Sequence, residues 1–374
     1  MSQLNVDAIR ASNGTGDAIS FTASDKTCTA NITNNLSNRN LVINGAMQVA
    51  QRGTSSTTDG YGSVDRFSVK SSGADEAPTH AQVDVASGTT PYTLGFRKAL
   101  KITNGNQTSG AGAGDWMEIG YKIEAQDIAN SGWNYLSTSS YITLSYWVKS
   151  SVAQTFYGYM FNRDGTIRSY PWSTGSLSAD TWTKVTKTIP GYTGLQFDNN
   201  NGAGLEIYFP LFNGTDMTNN SRSLNSWATH DGAAQTPDQT STWYTTNDST
   251  FEITGVQLEV GDYTTDFEHR SYGDELDRCE RYYQIVCNDN GHTIYRDGSS
   301  STYNFVSHRT TMRATPTYEL TRESTVFGDV NTGYQSGGLQ ATAANEYGFS
   351  LFIYTNCTSC QAAVKATVKA NAEL

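Results

Sequence analysis

The chain has 374 residues, enough for two or three domains, and it is 37% hydrophobic, 11% aromatic and 16% charged, with a formal net charge of −11. So many aromatic residues at so modest a charge density exclude an intrinsically disordered chain. An acidic chain without a Lys/Arg cluster also lacks the phosphate-neutralising surface of a nucleic-acid binder. No run of 18 apolar residues occurs, so no membrane insertion is expected. The opening MSQLNVDAIR has no basic stretch followed by an apolar one, and the expectation is synthesis in a cytoplasm without a signal peptide.

Residues 1–40 contain one aromatic, Phe21, and read as short extended pieces, LNVDAI and AISFTA, separated by SNGTGD. Such a segment cannot bury a core alone. It is expected to be an attachment arm that finds partner strands in other chains, or a disordered tail. From residue 41 the pattern changes. LVINGAMQVAQRG is an apolar run ending in a turn, and GYGSVDRFSVK alternates at Val64, Phe67 and Val69. Strand candidates follow at 97–102, 115–124, 141–151, 154–163, 182–190, 205–212 and 250–261. The apolar positions of YITLSYWV recur with the period of a strand, not of a helix. Turn signals at 162–166, 199–204 and 213–215 separate the runs. Many short strands rich in Thr, Tyr and Phe, joined by Gly/Asn/Asp turns, predict an all-β fold with a jelly-roll β-sandwich over 41–270.

One short connecting helix is predicted, over 271–287. Asp274 and Glu275 lie in its first turn, where the helix dipole favours negative charge. Asp274–Arg278 and Asp277–Arg281 are spaced as i,i+4 pairs of opposite sign. Leu276, Cys279 and Tyr283 form an apolar stripe. Together with Tyr282, they are expected at a junction with the chain's own domains or at a three-helix seam of a trimer. Residues 288–374 read as a small C-terminal β-sandwich, with AAVKATVKANAEL ambiguous between strand and helix.

Little in the sequence points to catalysis. His80, His230, His269, His292 and His308 are scattered and form no tight ligand spacing, with His269 read as packing against the helix start. The five cysteines, Cys28, Cys279, Cys287, Cys357 and Cys360, include a Cys-x-x-Cys without βαβ context and are read as buried free thiols. A glycosidase needs two carboxylates flanking a bond. Asp115, Glu118 and Glu124 lie close in sequence, but such groupings arise by chance among 36 acidic residues, and the expectation is that the protein is not an enzyme. Aromatic rings offer sugars a flat apolar face. Trp172, Trp227 and Trp243 sit in polar, loop-like stretches and are the candidate glycan-binding residues. The same three rings also read as caps on the sandwich. Trp116, Trp147 and Trp182 sit in predicted strands and read as core.

Three segments carry a resemblance. Asn40-Leu-Val-Ile-Asn-Gly-Ala-Met-Gln-Val-Ala-Gln-Arg-Gly, followed by Gly62-Ser-Val-Asp-Arg-Phe, resembles the opening of a β-sandwich module of tailed-bacteriophage virion proteins. Ile253-Thr-Gly-Val-Gln-Leu-Glu-Val-Gly, then Phe267-Glu-His-Arg and Cys279-Glu-Arg-Tyr-Tyr-Gln, resembles its end and the helix after it. Met312-Arg-Ala-Thr-Pro-Thr and Asn371-Ala-Glu-Leu resemble the C-terminal domain of the same proteins. The resemblance implies a tail-fibre-like surface protein of a phage of the cyanophage type. It implies a homotrimer located in the virion, bound to other virion proteins through residues 1–40 and adsorbing to host surface polysaccharide. A head fibre or capsid decoration protein without a receptor role is the alternative, and a polysaccharide depolymerase is a second. The module also resembles carbohydrate-binding jelly rolls. Those modules often hold a structural calcium ion, for which Asp65 and Asp266 are the candidate ligands here, and no other cofactor is expected.

Overall fold

The computed structural model describes residues 8–10, 17–22, 27–30, 38–287, 294–296, 301–327, 339–354 and 362–374. Ala8–Arg10, Asp17–Thr22 and Thr27–Ala30 pair as a three-stranded antiparallel sheet. Cys357 and Cys360 lie outside the described residues.

The main body is the expected sandwich. Its first sheet runs, edge to edge, Ala228–Thr229, Arg168–Ser176, Thr155–Asn162, Ala203–Asn213, Trp116–Glu124 and Phe67–Ser72. The second runs Thr183–Pro190, Tyr141–Ser150, Thr250–Val260, Lys98–Thr103, Thr79–Asp84 and Ser55–Ser56. Alternate side chains of a strand face opposite ways. Met117, Ile119, Tyr121 and Ile123 therefore meet Ile142, Leu144, Tyr146 and Val148 across one core. The described residues from Tyr283 onward build a second, smaller sandwich. Ala362–Asn371 pairs with Thr317–Phe327, Tyr283–Cys287 and Ile294–Arg296, while Ser301–Ser307, Gly348–Tyr354 and Leu339–Asn345 form a facing three-stranded sheet. Val306, Phe349, Leu351, Ala366 and Val368 are their shared core. The ambiguous terminal run is thus a strand.

The helix is shorter than the 271–287 expected from the sequence. It spans Tyr272–Glu280, capped by the Ser271 hydroxyl, which accepts from the Asp274 amide at 3.2 Å. Tyr283–Cys287 is already a strand. Three further one-turn helices, Thr90–Thr93, Ala125–Ala129 and Thr242–Thr245, sit in the main sandwich where one helix was expected in the whole chain. The i,i+4 pairing of Arg281 with Asp277 gives way to a stronger partner. Its guanidinium holds the fully buried Glu124 carboxylate with two 2.8 Å bonds. Burial alone would push the Glu124 carboxyl up, yet Arg281 and the Tyr282 hydroxyl, donating at 2.6 Å, bring it below its ordinary value.

The two sandwiches meet around Arg66. This side chain is 1% exposed, and its backbone is in the left-handed region (φ 71°), a costly conformation for a residue with a Cβ. Its guanidinium lies 3.4 Å from the Tyr282 ring centroid, donates to the Lys122 carbonyl at 2.7 Å and pairs with the Glu373 carboxylate. Arg52 repeats the arrangement, 3.6 Å from the Tyr283 ring centroid and 3.3 Å from Glu373. Gln51 ties Asp65 to the Tyr283 carbonyl, at 2.6 and 2.8 Å. A buried cation deprived of its anion costs about 3–5 kcal/mol. Glu373→Ala is therefore expected to lower unfolding stability by about that amount, and Arg66→Met with Glu373→Leu to recover most of it. Denaturant midpoints decide, and a loss below about 1 kcal/mol for E373A would show that the pair is not what holds the joint.

Candidate functional site: the outer face of the first sheet and the hollow at its edge

The residues expected at the sites lie mostly inside the protein. Cys279, Tyr282 and Tyr283 are buried, and Leu276 half-buried, against the chain's own joint. The helix instead exposes Tyr272, Gly273, Asp274 and Asp277. The stripe is therefore filled within one chain, and its side chains are not free to form a seam between copies. Burial pushes the Cys279 thiol well up, as Asp65 and Glu275 also do.

The tryptophans invert the expectation. Trp172 and Trp243 are fully buried, and Trp227 is half-buried. The Trp172 indole donates to the Tyr146 hydroxyl at 2.9 Å and fills the space that Gly158, lacking a Cβ, leaves in the neighbouring strand. Trp243 donates to the Thr250 carbonyl at 3.0 Å, and Trp227 to the Pro190 carbonyl at 2.7 Å. None of the three stands free as a platform for a sugar: Trp172 and Trp243 belong to the core between the sheets, and Trp227 packs against it. Trp116, Trp147 and Trp182, expected in the core, are only half-buried.

Asp65 and Asp266 do not converge either. Asp65 accepts from Gln51 and faces Arg52, whereas Asp266 is exposed. Among the described residues, no group of three or more His, Cys, Asp or Glu side chains is placed to hold a metal ion. His269 packs its ring 5.1 Å from Phe96.

The outward face of the first sheet carries an ordered row of rings. Tyr159 lies opposite Tyr208 in the pairing, and Tyr208 opposite Gly120, whose missing side chain leaves room for the phenol ring. Tyr159 and Tyr208 stack at 5.3 Å, Tyr208 and Phe161 at 5.6 Å, and Phe161 and His230 at 4.9 Å. Each phenol donates to a carboxylate, Tyr159 to Glu118 at 3.1 Å and Tyr208 to Glu206 at 2.6 Å. Lys122 and Arg163 face Glu206 at 3.5 and 3.3 Å. Burial pushes the Glu118 carboxyl up to about 7, the Tyr159 hydroxyl pulling back only in part.

The row ends in an open hollow of about 590 Å³. Its walls include Ser221, Arg222, Ser223, Ser226, His230 and Asp231. Arg222 is anchored on Ser169, donating to its hydroxyl at 2.6 Å and to its carbonyl at 3.1 Å. Burial, then the Arg222 charge, lowers the His230 pKa, which keeps the imidazole neutral at pH 7. The hollow therefore offers hydroxyls, a guanidinium, a carboxylate and the edge of a neutral ring. That set suits hydrogen bonding to a polyhydroxylated molecule, within the usual size range of ligand sites. In QTFYGYMFNR, Tyr157, Tyr159 and Phe161 alternate with the core residues Phe156 and Met160, so period two alone assigns those rings to the outer face.

No family model matches the sequence, and no curated protein matches it. Solved structures similar to part of this chain include the enzymatically active domain of tailspike protein 4 of bacteriophage CBA120, at 12% identity and TM-score 0.30 over 59% of this chain. The chain covers 21% of that protein's length. The family 11 carbohydrate-binding module of a Clostridium thermocellum cellulosomal cellulase overlaps 58% of this chain and 98% of its own at 12% identity and TM-score 0.27. A xylan-binding domain from Paenibacillus barcinonensis overlaps 60% of this chain and 96% of its own at 9% identity and TM-score 0.29.

The Glu118 carboxyl gives a pH signature. Its folded pKa lies above the unfolded value of 4.5, so its contribution to stability is complete below about pH 4.5 and lost as pH rises through about 7. Glu118→Gln, which stays neutral, is expected to flatten that fall and to be more stable than wild type at pH 8. Thermal midpoints from pH 4 to 8 that run parallel for the two proteins would show that Glu118 ionises normally.

Proposed function

We propose that this protein is a non-catalytic structural subunit of a tailed-phage particle, a tail-fibre component that adsorbs to bacterial surface polysaccharide through the hollow beside His230. The virion assignment rests on the sequence resemblance across residues 40–374. The adsorption assignment rests on one observation, the polar, hydroxyl-rich hollow at the end of the stacked rings. Such a site binds weakly on its own. In this reading the subunit is a homotrimer held to other virion proteins through residues 1–40, and repeated copies raise weak binding to firm attachment.

Two experiments test the reading. Asp231→Ala with Ser226→Ala, both on exposed or half-open parts of the hollow, is expected to weaken binding to arrayed bacterial surface polysaccharides at least about tenfold, with an unchanged melting midpoint. Binding at wild-type strength would exclude the hollow. Release of reducing ends from the bound polysaccharide would replace adsorption by depolymerase activity. Light scattering of the purified protein is expected to give the mass of three chains, and a stable monomer would remove the trimer from the proposal.

A further inference from the structure

The three-stranded sheet of the smaller sandwich differs from the rest of the chain in having no charge. Ser301–Ser307, Leu339–Asn345 and Gly348–Tyr354 are seven residues each, and none contains Asp, Glu, Lys, Arg or His. The register defines its two faces. Val306 pairs with Phe349 on the core side. On the outward side Tyr303 lies opposite Phe352, which lies opposite Gln340, and Phe305 lies opposite Ser350, which lies opposite Thr342. Tyr303 and Phe305 are 63% and 64% exposed, among the most exposed large side chains described, and Tyr303 meets the Phe352 ring at 4.9 Å.

We infer that this face is a second carbohydrate-binding surface, for an uncharged glycan. Apolar rings interleaved with hydroxyl and amide groups match the alternating C–H and O–H faces of a neutral sugar. A face without a charge of either sign has nothing with which to pair a uronate, a sulfate or a phosphate. The exposed rings present about 300 Å². That is well short of the roughly 800 Å² that each partner contributes to a stable protein interface, so a second copy of the chain is the poorer occupant. The surface is separate from the hollow beside His230 and stands independently of it.

The test is retention of full-length protein on a neutral β-glucan and on a polyuronate. Wild type is expected to be retained on the neutral polymer alone, with little change between about 50 and 500 mM salt, since no charges are involved. Tyr303→Ser with Phe305→Thr is expected to reduce that retention at least tenfold. Asp231→Ala with Ser226→Ala is expected to leave it intact, which separates this surface from the hollow. Thr342→Glu keeps the rings, adds a charge to the face and is expected to reproduce the loss. It serves where the double variant fails to fold. Retention on the polyuronate alone, or neutral-glucan retention unaffected by Thr342→Glu, would overturn the inference. So would concentration-dependent self-association that Tyr303→Ser abolishes in a protein that binds no glucan.

Discussion

A single desolvated cation organises this molecule. Arg66 is enclosed on all sides, and an enclosed guanidinium must be given an anion and aromatic faces or it will not stay. Glu373 supplies the anion, Tyr282 and Tyr121 the faces, and the Lys122 carbonyl a further acceptor. These partners come from the first sheet, the end of the helix and the far end of the smaller sandwich. Satisfying one side chain therefore fixes three elements at once. Arg52, Asp65, Gln51 and Tyr283 form a second layer around it. Burial pushes the Asp65 carboxyl up to about 6, Arg52 and Gln51 only partly opposing it, so this layer too is balanced against desolvation.

The sequence disclosed the strands better than it disclosed what joins them. Alternation predicts strands at 141–151 and 182–190, and these match Tyr141–Ser150 and Thr183–Pro190 closely, because a period of two is a local property. Trp172 was misplaced because Tyr-Pro-Trp-Ser has the composition of a turn. Its strand, Arg168–Ser176, pairs on its outer side only at Arg168 and Ser169, so Pro171 needs no amide there. Arg281 was assigned to Asp277 by spacing, but the deeper carboxylate of Glu124 competes better. That competitor lies 157 positions away, and no local pattern reveals it. Asn44, Gln51, Arg52, Asp65 and Arg66 stood out only as part of a resemblance. The structure supplies their physical reason: Gln51, Arg52, Asp65 and Arg66 build the joint, and the Asn44 side chain ties Val49 to Asp65 beside it.

Among the described residues, two sheets turn an aromatic face outward, and they treat it in opposite ways. On the first sheet, Tyr159, Phe161 and Tyr208 stack on one another, and the two tyrosine hydroxyls are taken by Glu118 and Glu206. Those rings are spent on each other, and only the rim beside His230 is open. On the smaller sandwich, Tyr303 and Phe305 have no carboxylate beside them in their sheet and stay exposed. Exposed rings and charged hydrogen-bonding groups are therefore divided between two places on one chain.

The Arg66–Glu373 pair also constrains how the chain reaches its native state. The partners are 307 positions apart, so nearly the whole chain must be gathered before the cation is neutralised. The entropy of closing such a loop grows only with the logarithm of its length, about 2 kcal/mol more than for a loop one tenth as long. The heavier penalty is that of enclosing Arg66 before Glu373 arrives. The main sandwich therefore has reason to remain open at this corner until the smaller one has formed, which links the two in a single late, high-contact-order step.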